Sequence, residues 1–294
     1  MSSPSELTRE SGAKAFDGHQ YVYNHESSTV GCKMKFGVYV PAKAEKERVP
    51  LLIFLSGLTC TEQNFITKSG VQRLASEYGF IVANPDTSPR GCKIEGDSDN
   101  WAFGEGAGYY VDATESKWSK NYRMFSYVND EFYGLLIKNF NVDPNRIGIF
   151  GHSMGGHGAL VSFFKRPAQY KSVSAFAPIC NMSTSGWGID AYKKFFGQDE
   201  NLWKQYDATE LVASYHGPKP HAPILIDQGS DDNFLAKYLL PERLINACEK
   251  ASFPIYFREQ AGGISIYSFN SLHKITNISI HFNLPRKIGI WINY

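Results

Sequence analysis

Short apolar-rich runs alternate along the chain with segments whose apolar residues fall three or four positions apart. Leu51–Leu55 lies between Pro50 and Ser56-Gly57, and Phe80–Ala83 ends at Asn84-Pro85. Arg146–Phe150, Ser172–Ala177, Ile224–Asp227 and Ile255–Phe257 are of the same kind. Continuous runs of this length predict strands buried on both faces. Lys33–Val40 differs, because it alternates and is rich in β-formers. Between these runs, Val71, Leu74, Ala75 and Tyr78 keep helical spacing, with Gly79 as a stop. Phe125, Val128, Phe132, Leu135 and Leu136 share one face of a helix predicted from Asn121 to Phe140. Asp207 and Glu210 predict a capping box for Ala208–Tyr215, and Pro241 predicts the first turn of another helix. Such alternation predicts an α/β fold with a mostly parallel sheet covered by helices on both faces. No repeat, linker or low-complexity stretch divides the 294 residues, so one domain is expected.

Charge and cysteines narrow the function classes. A net charge of +1 gives no electrostatic case for nucleic acid or an anionic membrane. The first ten residues lack the apolar segment of a signal peptide, and no run of membrane-spanning length occurs. The five cysteines, Cys32, Cys60, Cys92, Cys180 and Cys248, are odd in number and form no C-x-x-C pair. A reduced, cytoplasmic protein without a disulfide framework or metal site is expected.

Gly151-His152-Ser153-Met154-Gly155-Gly156 stands between a predicted buried strand and a small-residue segment that opens a helix. That is the G-x-S-x-G pattern in the context of a nucleophile elbow, where a strained turn lifts the serine hydroxyl above the sheet. A serine nucleophile needs a base, a carboxylate that orients the base, and N–H donors for the oxyanion. Met154 follows the serine and offers one N–H. The loop Leu55-Ser56-Gly57-Leu58-Thr59-Cys60 follows an earlier strand and offers another, at Leu58. Asp227-Gln228-Gly229-Ser230-Asp231-Asp232 follows a later strand, at the end where such sheets place ligands. Spacing does not separate Asp231 from Asp232 as the acid. The glycines of Gly104–Gly108 do not open a helix after a strand, so pocket lining is expected of them rather than phosphate binding.

Five segments together resemble the S-formylglutathione hydrolase (esterase D) family. They are Leu55-Ser-Gly-Leu-Thr-Cys-Thr61, Pro85-Asp-Thr-Ser-Pro-Arg-Gly91, Gly104-Glu-Gly-Ala-Gly108, Gly151-His-Ser-Met-Gly-Gly156 and Lys171-Ser-Val-Ser-Ala-Phe-Ala-Pro178. The match runs in order from about Phe16 to about Gln260. The resemblance implies an α/β-hydrolase fold and hydrolysis of S-formylglutathione to glutathione and formate, a step of formaldehyde detoxification. It further implies cleavage of activated carboxylesters, a homodimer, a cytoplasmic location, and no cofactor or metal. By matched position Ser153 is the nucleophile, Asp232 the acid, and Leu58 and Met154 the oxyanion donors. Cys60, His152 and Trp101 are expected around the pocket.

Two positions depart from the family pattern. Ala102 stands where the family carries Asp. Ser265 stands where the family carries the catalytic histidine, in Gly262-Gly-Ile-Ser-Ile-Tyr-Ser268. From Gln260 to Tyr294 the chain holds no Asp or Glu and is rich in Ile and Asn. An alternative exon, a retained intron or a frameshift is the expected origin of this tail. His273 is the nearest downstream substitute base. His152, His157, His216, His221 and His281 are less suited by position, because the base must reach the serine hydroxyl.

Overall fold

In the computed structural model, which describes residues 6–220, 222–262, 278–280 and 288–290, nine strands form one sheet. They are β1 (Thr8–Ala15), β2 (Gly18–Glu26), β3 (Lys33–Val40), β4 (Val49–Leu55), β5 (Ile81–Pro85), β6 (Val142–His152), β7 (Ser172–Phe176), β8 (Ile224–Gly229) and β9 (Ile255–Gln260). Their spatial order is β1-β2-β3-β5-β4-β6-β7-β8-β9. The six strands from β5 to β9 run parallel, and β1, β2 and β3 join through antiparallel pairs. Two further strands, β10 (Ile278–Ile280) and β11 (Ile288–Ile290), pair antiparallel with each other in a separate ladder.

The central strand shows why the apolar runs are continuous. Every residue of β4 is buried, and its side chains alternate between two apolar clusters. Leu51, Ile53 and Leu55 join one cluster, with Ile149, Ala159 and Leu160. Leu52 and Phe54 join the other, with Phe65, Leu74, Ala75 and Phe150. The helix Met154–Lys165 supplies the first face, and the helices Glu62–Lys68 and Val71–Tyr78 supply the second. Phe54 stacks on Phe65 with ring centroids 3.9 Å apart. Gly79 ends its helix with φ 68°, a left-handed conformation that suits glycine.

Three elements differ from the sequence expectation. The helix expected from Asn121 to Phe140 is built as Met124–Ser126, a π-helical turn over Tyr127–Phe132, and Tyr133–Asn139. Its expected apolar face is nonetheless buried throughout. Within the wide turn, buried Asn129 donates to the Phe125 carbonyl and to Ser162 Oγ, and accepts from Tyr170 OH at 2.7 Å. Those bonds compensate a turn whose backbone geometry is rarer than the α-helix. The hairpin of β1 and β2 leaves no apolar signature in β1, whose residues are almost all exposed. Its charged, polar composition suits a sheet edge. Asp207 caps the helix Ala208–Ala213 through Thr209 and Glu210 N–H, yet the box is incomplete. The Asp207 N–H is held by the Lys204 carbonyl at 3.3 Å, so Glu210 does not close it.

Candidate active site

The site is assembled where parallel strands end side by side. Leu55 pairs with Gly151, so Ser56-Gly57-Leu58 leaves the sheet next to His152-Ser153-Met154. Ser153 has φ 57° and ψ −119°, a conformation that L-residues adopt only under constraint. The constraint is visible on both sides of the residue. Its N–H donates to the Phe176 carbonyl at 2.9 Å, and its carbonyl accepts from His157 N–H at 3.1 Å and Ile179 N–H at 3.3 Å. A Cβ on Gly155 would overlap the Leu55 carbonyl, and one on Gly151 would overlap the Gly155 carbonyl. Strand and helix can therefore approach only because both positions are glycine.

The loop after β4 lies against the serine. A Cβ built on Gly57 would stand 3.2 Å from Ser153 Cβ. Within this loop Thr59 N–H donates to the Gly106 carbonyl at 2.8 Å, and Cys60 N–H donates to the Gly57 carbonyl at 3.4 Å. Neither bond uses the Leu58 N–H. Met154 is the first residue of its helix, so its N–H has no intrahelical acceptor. Among the described residues neither N–H donates to a backbone carbonyl, and unengaged donors of this kind are what a developing oxyanion would call on.

Residues that sequence reasoning did not single out brace this loop. Thr59 holds φ 66°, unusual for a β-branched residue, and its N–H is anchored on Gly106. Gly106 N–H donates in turn to Ser88 Oγ at 2.8 Å. The Gly104–Gly108 run, expected to line a pocket, thus buttresses the Leu58 loop. Tyr110 OH donates to the Ser56 carbonyl at 2.9 Å. Tyr109 and Tyr110 both have positive φ, at 49° and 54°. Burial holds the Tyr110 phenol protonated, so it stays a donor. The motif spacing carries no sign of these contacts, because each joins residues distant in sequence.

Burial separates the two candidate acids. Asp231 is exposed, whereas Asp232 is 6% exposed. Asp232 Oδ1 accepts from Phe234 N–H at 2.9 Å, and the Gln228 side chain also bonds it. Desolvation raises the Asp232 pKa, while these hydrogen bonds pull it down. The turn is fastened to the last described residues of β9 and beyond: Ser230 N–H donates to the Gln260 carbonyl and Asp231 N–H to the Gly262 carbonyl, at 2.9 and 3.1 Å. A third acid, Asp227, is fully buried one strand pairing away and bonds Arg258 of β9.

Among the histidines, His152 is buried with Nδ1 beside the Gly57 position. His157 is fully buried, with Nε2 3.1 Å from the Tyr109 carbonyl and 3.5 Å from Tyr192 OH. His216 is exposed. His221, Ser265, His273 and His281 lie outside the described residues. Cys60 is buried, and burial raises its thiol pKa, which keeps it protonated. Its carbonyl accepts from Thr87 Oγ1 and Arg90 at 2.6 and 3.0 Å. Trp101 is 49% exposed and lines a cavity with Trp187 and Tyr238. Ala102 donates its N–H to Asn100 Oδ1 and accepts from Tyr109 OH.

His157 has a measurable consequence for stability. Burial pushes its pKa down to about 3, so the ring is neutral in the folded chain. The unfolded chain binds that proton at about pH 6.5. The folded state therefore binds fewer protons in this window. Stability is fully present above about pH 6.5 and is lost as pH falls towards the folded pKa. At pH 5 the loss is about 2 kcal/mol. Urea melts at pH 7 and pH 5 check this, and a His157→Gln chain should lose that part of the pH dependence.

Comparison with known proteins agrees with the geometry. The esterase family model matches residues 27–283, which extends beyond Gln260. S-formylglutathione hydrolase of Rattus norvegicus is 55% identical over 265 residues, covering 90% of this chain and 93% of the relative. S-formylglutathione hydrolase of Arabidopsis thaliana is 45% identical and covers 94% of this chain and 97% of its own. The solved S-formylglutathione hydrolase of Agrobacterium tumefaciens superposes with TM-score 0.82 at 44% identity, over 86% of this chain and 90% of its own. A strained serine at a strand–helix turn, a parallel sheet and identity over nine-tenths of the chain lead to one conclusion: the chain belongs to the S-formylglutathione hydrolase family and has the α/β-hydrolase fold.

Proposed function

We propose that this chain is a serine thioesterase that hydrolyses S-formylglutathione to glutathione and formate, with side activity on carboxylesters. Ser153 is the nucleophile, Asp232 the acid that orients the base, and the N–H groups of Leu58 and Met154 receive the oxyanion. The observation that carries this reading is the left-handed Ser153, held against the Leu58 loop in a chain 55% identical to rat S-formylglutathione hydrolase.

Ser153 Oγ adds to the formyl carbon, and negative charge moves onto the carbonyl oxygen. The carbon–sulfur bond then breaks and glutathione leaves as its thiol, taking the serine proton by way of the base. Water adds to the formyl ester, the carbon–oxygen bond to Ser153 breaks, and formate departs as the serine regains a proton. Both steps pass a proton through an imidazole. The family resemblance puts that imidazole at position 265, which holds serine here. Ser265 favours a second reading, a chain that binds the thioester and turns it over slowly. Five free cysteines and the family resemblance support work as a homodimer in the cytoplasm.

Turnover by the purified chain discriminates between these readings. A kcat/KM for S-formylglutathione about tenfold or more above that for 4-nitrophenyl acetate is expected. Equal values favour a general carboxylesterase. Slow turnover of both, with thioester binding intact, favours the impaired reading.

A further inference from the structure

Two half-buried cysteines, Cys32 and Cys92, meet at the start of β3. The Cys32 thiol donates a hydrogen bond to the Cys92 sulfur. The Arg90 backbone also bonds the Cys32 sulfur, and Met34 Sδ lies 4.0 Å from Cys32 Sγ. The remaining cysteines, Cys60, Cys180 and Cys248, are buried.

The backbone is anchored on both sides of this contact. The Cys32 carbonyl accepts from Ser27 N–H at 2.9 Å, which closes the turn that leads into β3. Further along β3, Phe36 pairs with Pro85, and Asp86 N–H donates to the Lys35 carbonyl at 3.0 Å. Residues 86–92 then return towards Cys32, with Arg90 Nε donating to both Asp86 carboxylate oxygens at 3.1 and 2.8 Å. Gly91 N–H donates to Glu105 Oε1 at 2.6 Å. Gly91 has φ 70°, and a Cβ there would meet nothing within 4 Å, so the chain next to Cys92 has room to adjust. The same segment carries Thr87, Ser88 and Arg90, whose side chains hold the Cys60 carbonyl and Gly106 against the Leu58 loop.

We propose that Cys32 and Cys92 are an oxidisable pair, joined by a small disulfide such as glutathione disulfide into a reversible clamp on the loop that braces Leu58. Burial raises both thiol pKa values, that of Cys32 to about 12. The bond between the two thiols adds to the rise at Cys32 and opposes it at Cys92, so Cys92 gives up its proton first. Its sulfur attacks one sulfur of glutathione disulfide, that S–S bond breaks, and one glutathione leaves as its thiol with the proton. The Cys32 sulfur then attacks the Cys92 sulfur of the mixed disulfide, and the second glutathione leaves with the Cys32 proton. Two electrons pass from the protein thiols to glutathione disulfide, and two glutathione molecules are returned. Excess thiol reverses the exchange.

Anaerobic incubation of the reduced chain with excess glutathione disulfide at about pH 8.5, near the ordinary thiol pKa, tests this. Unfolding with alkylation and peptide mass spectrometry then locate every cysteine. The expected product is a chain two hydrogens lighter, with Cys32 and Cys92 in one cross-linked peptide and the three buried cysteines alkylated. Closing a loop of about 60 residues should raise Tm by about 5 °C, a gain that dithiothreitol removes. Cys32→Ser should stop at a glutathione mixed disulfide on Cys92, without the gain in Tm. Melts of the reduced variant verify that it folds. No cross-link, or one between any other pair, overturns the assignment. A Cys32–Cys92 cross-link that leaves Tm unchanged overturns the clamp.

Discussion

Placing histidine at position 265 is expected to raise kcat/KM for S-formylglutathione on the order of 1,000-fold over the parent chain. The argument starts from the β8–β9 pairing. Asp231 N–H donates to the Gly262 carbonyl, so the chain leaves β9 beside the turn that carries Asp232. Position 265 follows three residues later and holds serine. A serine hydroxyl cannot accept the Ser153 proton at neutral pH, whereas an imidazole oriented by a buried carboxylate can. Exchanging residues 261–294 for the closing segment of the rat relative should give the same gain, because the family resemblance puts the imidazole in that segment. Loss of thioester absorbance during turnover measures both. Adding Ser153→Ala to either chain should remove the whole gain, while Ser153→Ala in the parent should cost far less. That inequality is the mark of residues acting as one unit. A gain that survives Ser153→Ala would sink the assignment of Ser153 as nucleophile.

Gly155→Ala is expected to destabilise the fold by about 3 kcal/mol or more and to remove activity with it. The added methyl would enter the Leu55 carbonyl, and its next neighbours are also backbone atoms, Leu55 C and Ser56 O. A flexible side chain could turn aside; a β4 backbone buried between two apolar clusters cannot. Relief would need the helix Met154–Lys165 to back away from β4. That movement would separate Met154 N–H from the Leu58 loop and let the strained Ser153 relax. For a chain of this size the loss corresponds to a melting temperature about 6 °C lower. Gly134→Ala is a suitable contrast, because a Cβ there meets nothing within 4 Å. Scanning calorimetry of the two variants checks the pair, and equal melting temperatures would refute the close-approach argument.

The parallel half of the sheet was readable because burial on both faces writes itself as consecutive apolar residues. Leu51–Leu55 and Ile224–Asp227 extend by only a few residues in the structure. The β1–β2 hairpin was not readable, since an exposed edge strand such as Thr8–Ala15 needs no apolar residue to pair. The π-helical turn at Tyr127–Phe132 was hidden for another reason. The apolar spacing that marks a helix stays the same when one turn widens around a buried Asn129.

The sequence alone determined the strand–helix alternation, the Gly79 stop and the elbow around Ser153. Each depends on residues within a few positions of one another, where local sterics and burial leave a local pattern. The tertiary structure separated Asp231 from Asp232 by burial, leaving the first in solvent and desolvating the second, a difference that spacing does not carry. It set Trp101 in the wall of a cavity shared with Trp187 and Tyr238. It also showed that Gly106, Ser88 and Tyr110 hold the loop that presents Leu58. These contacts join residues 18 to 54 positions apart. Hydrogen bonds over such separations have no periodicity to read, so folding alone brings their partners together.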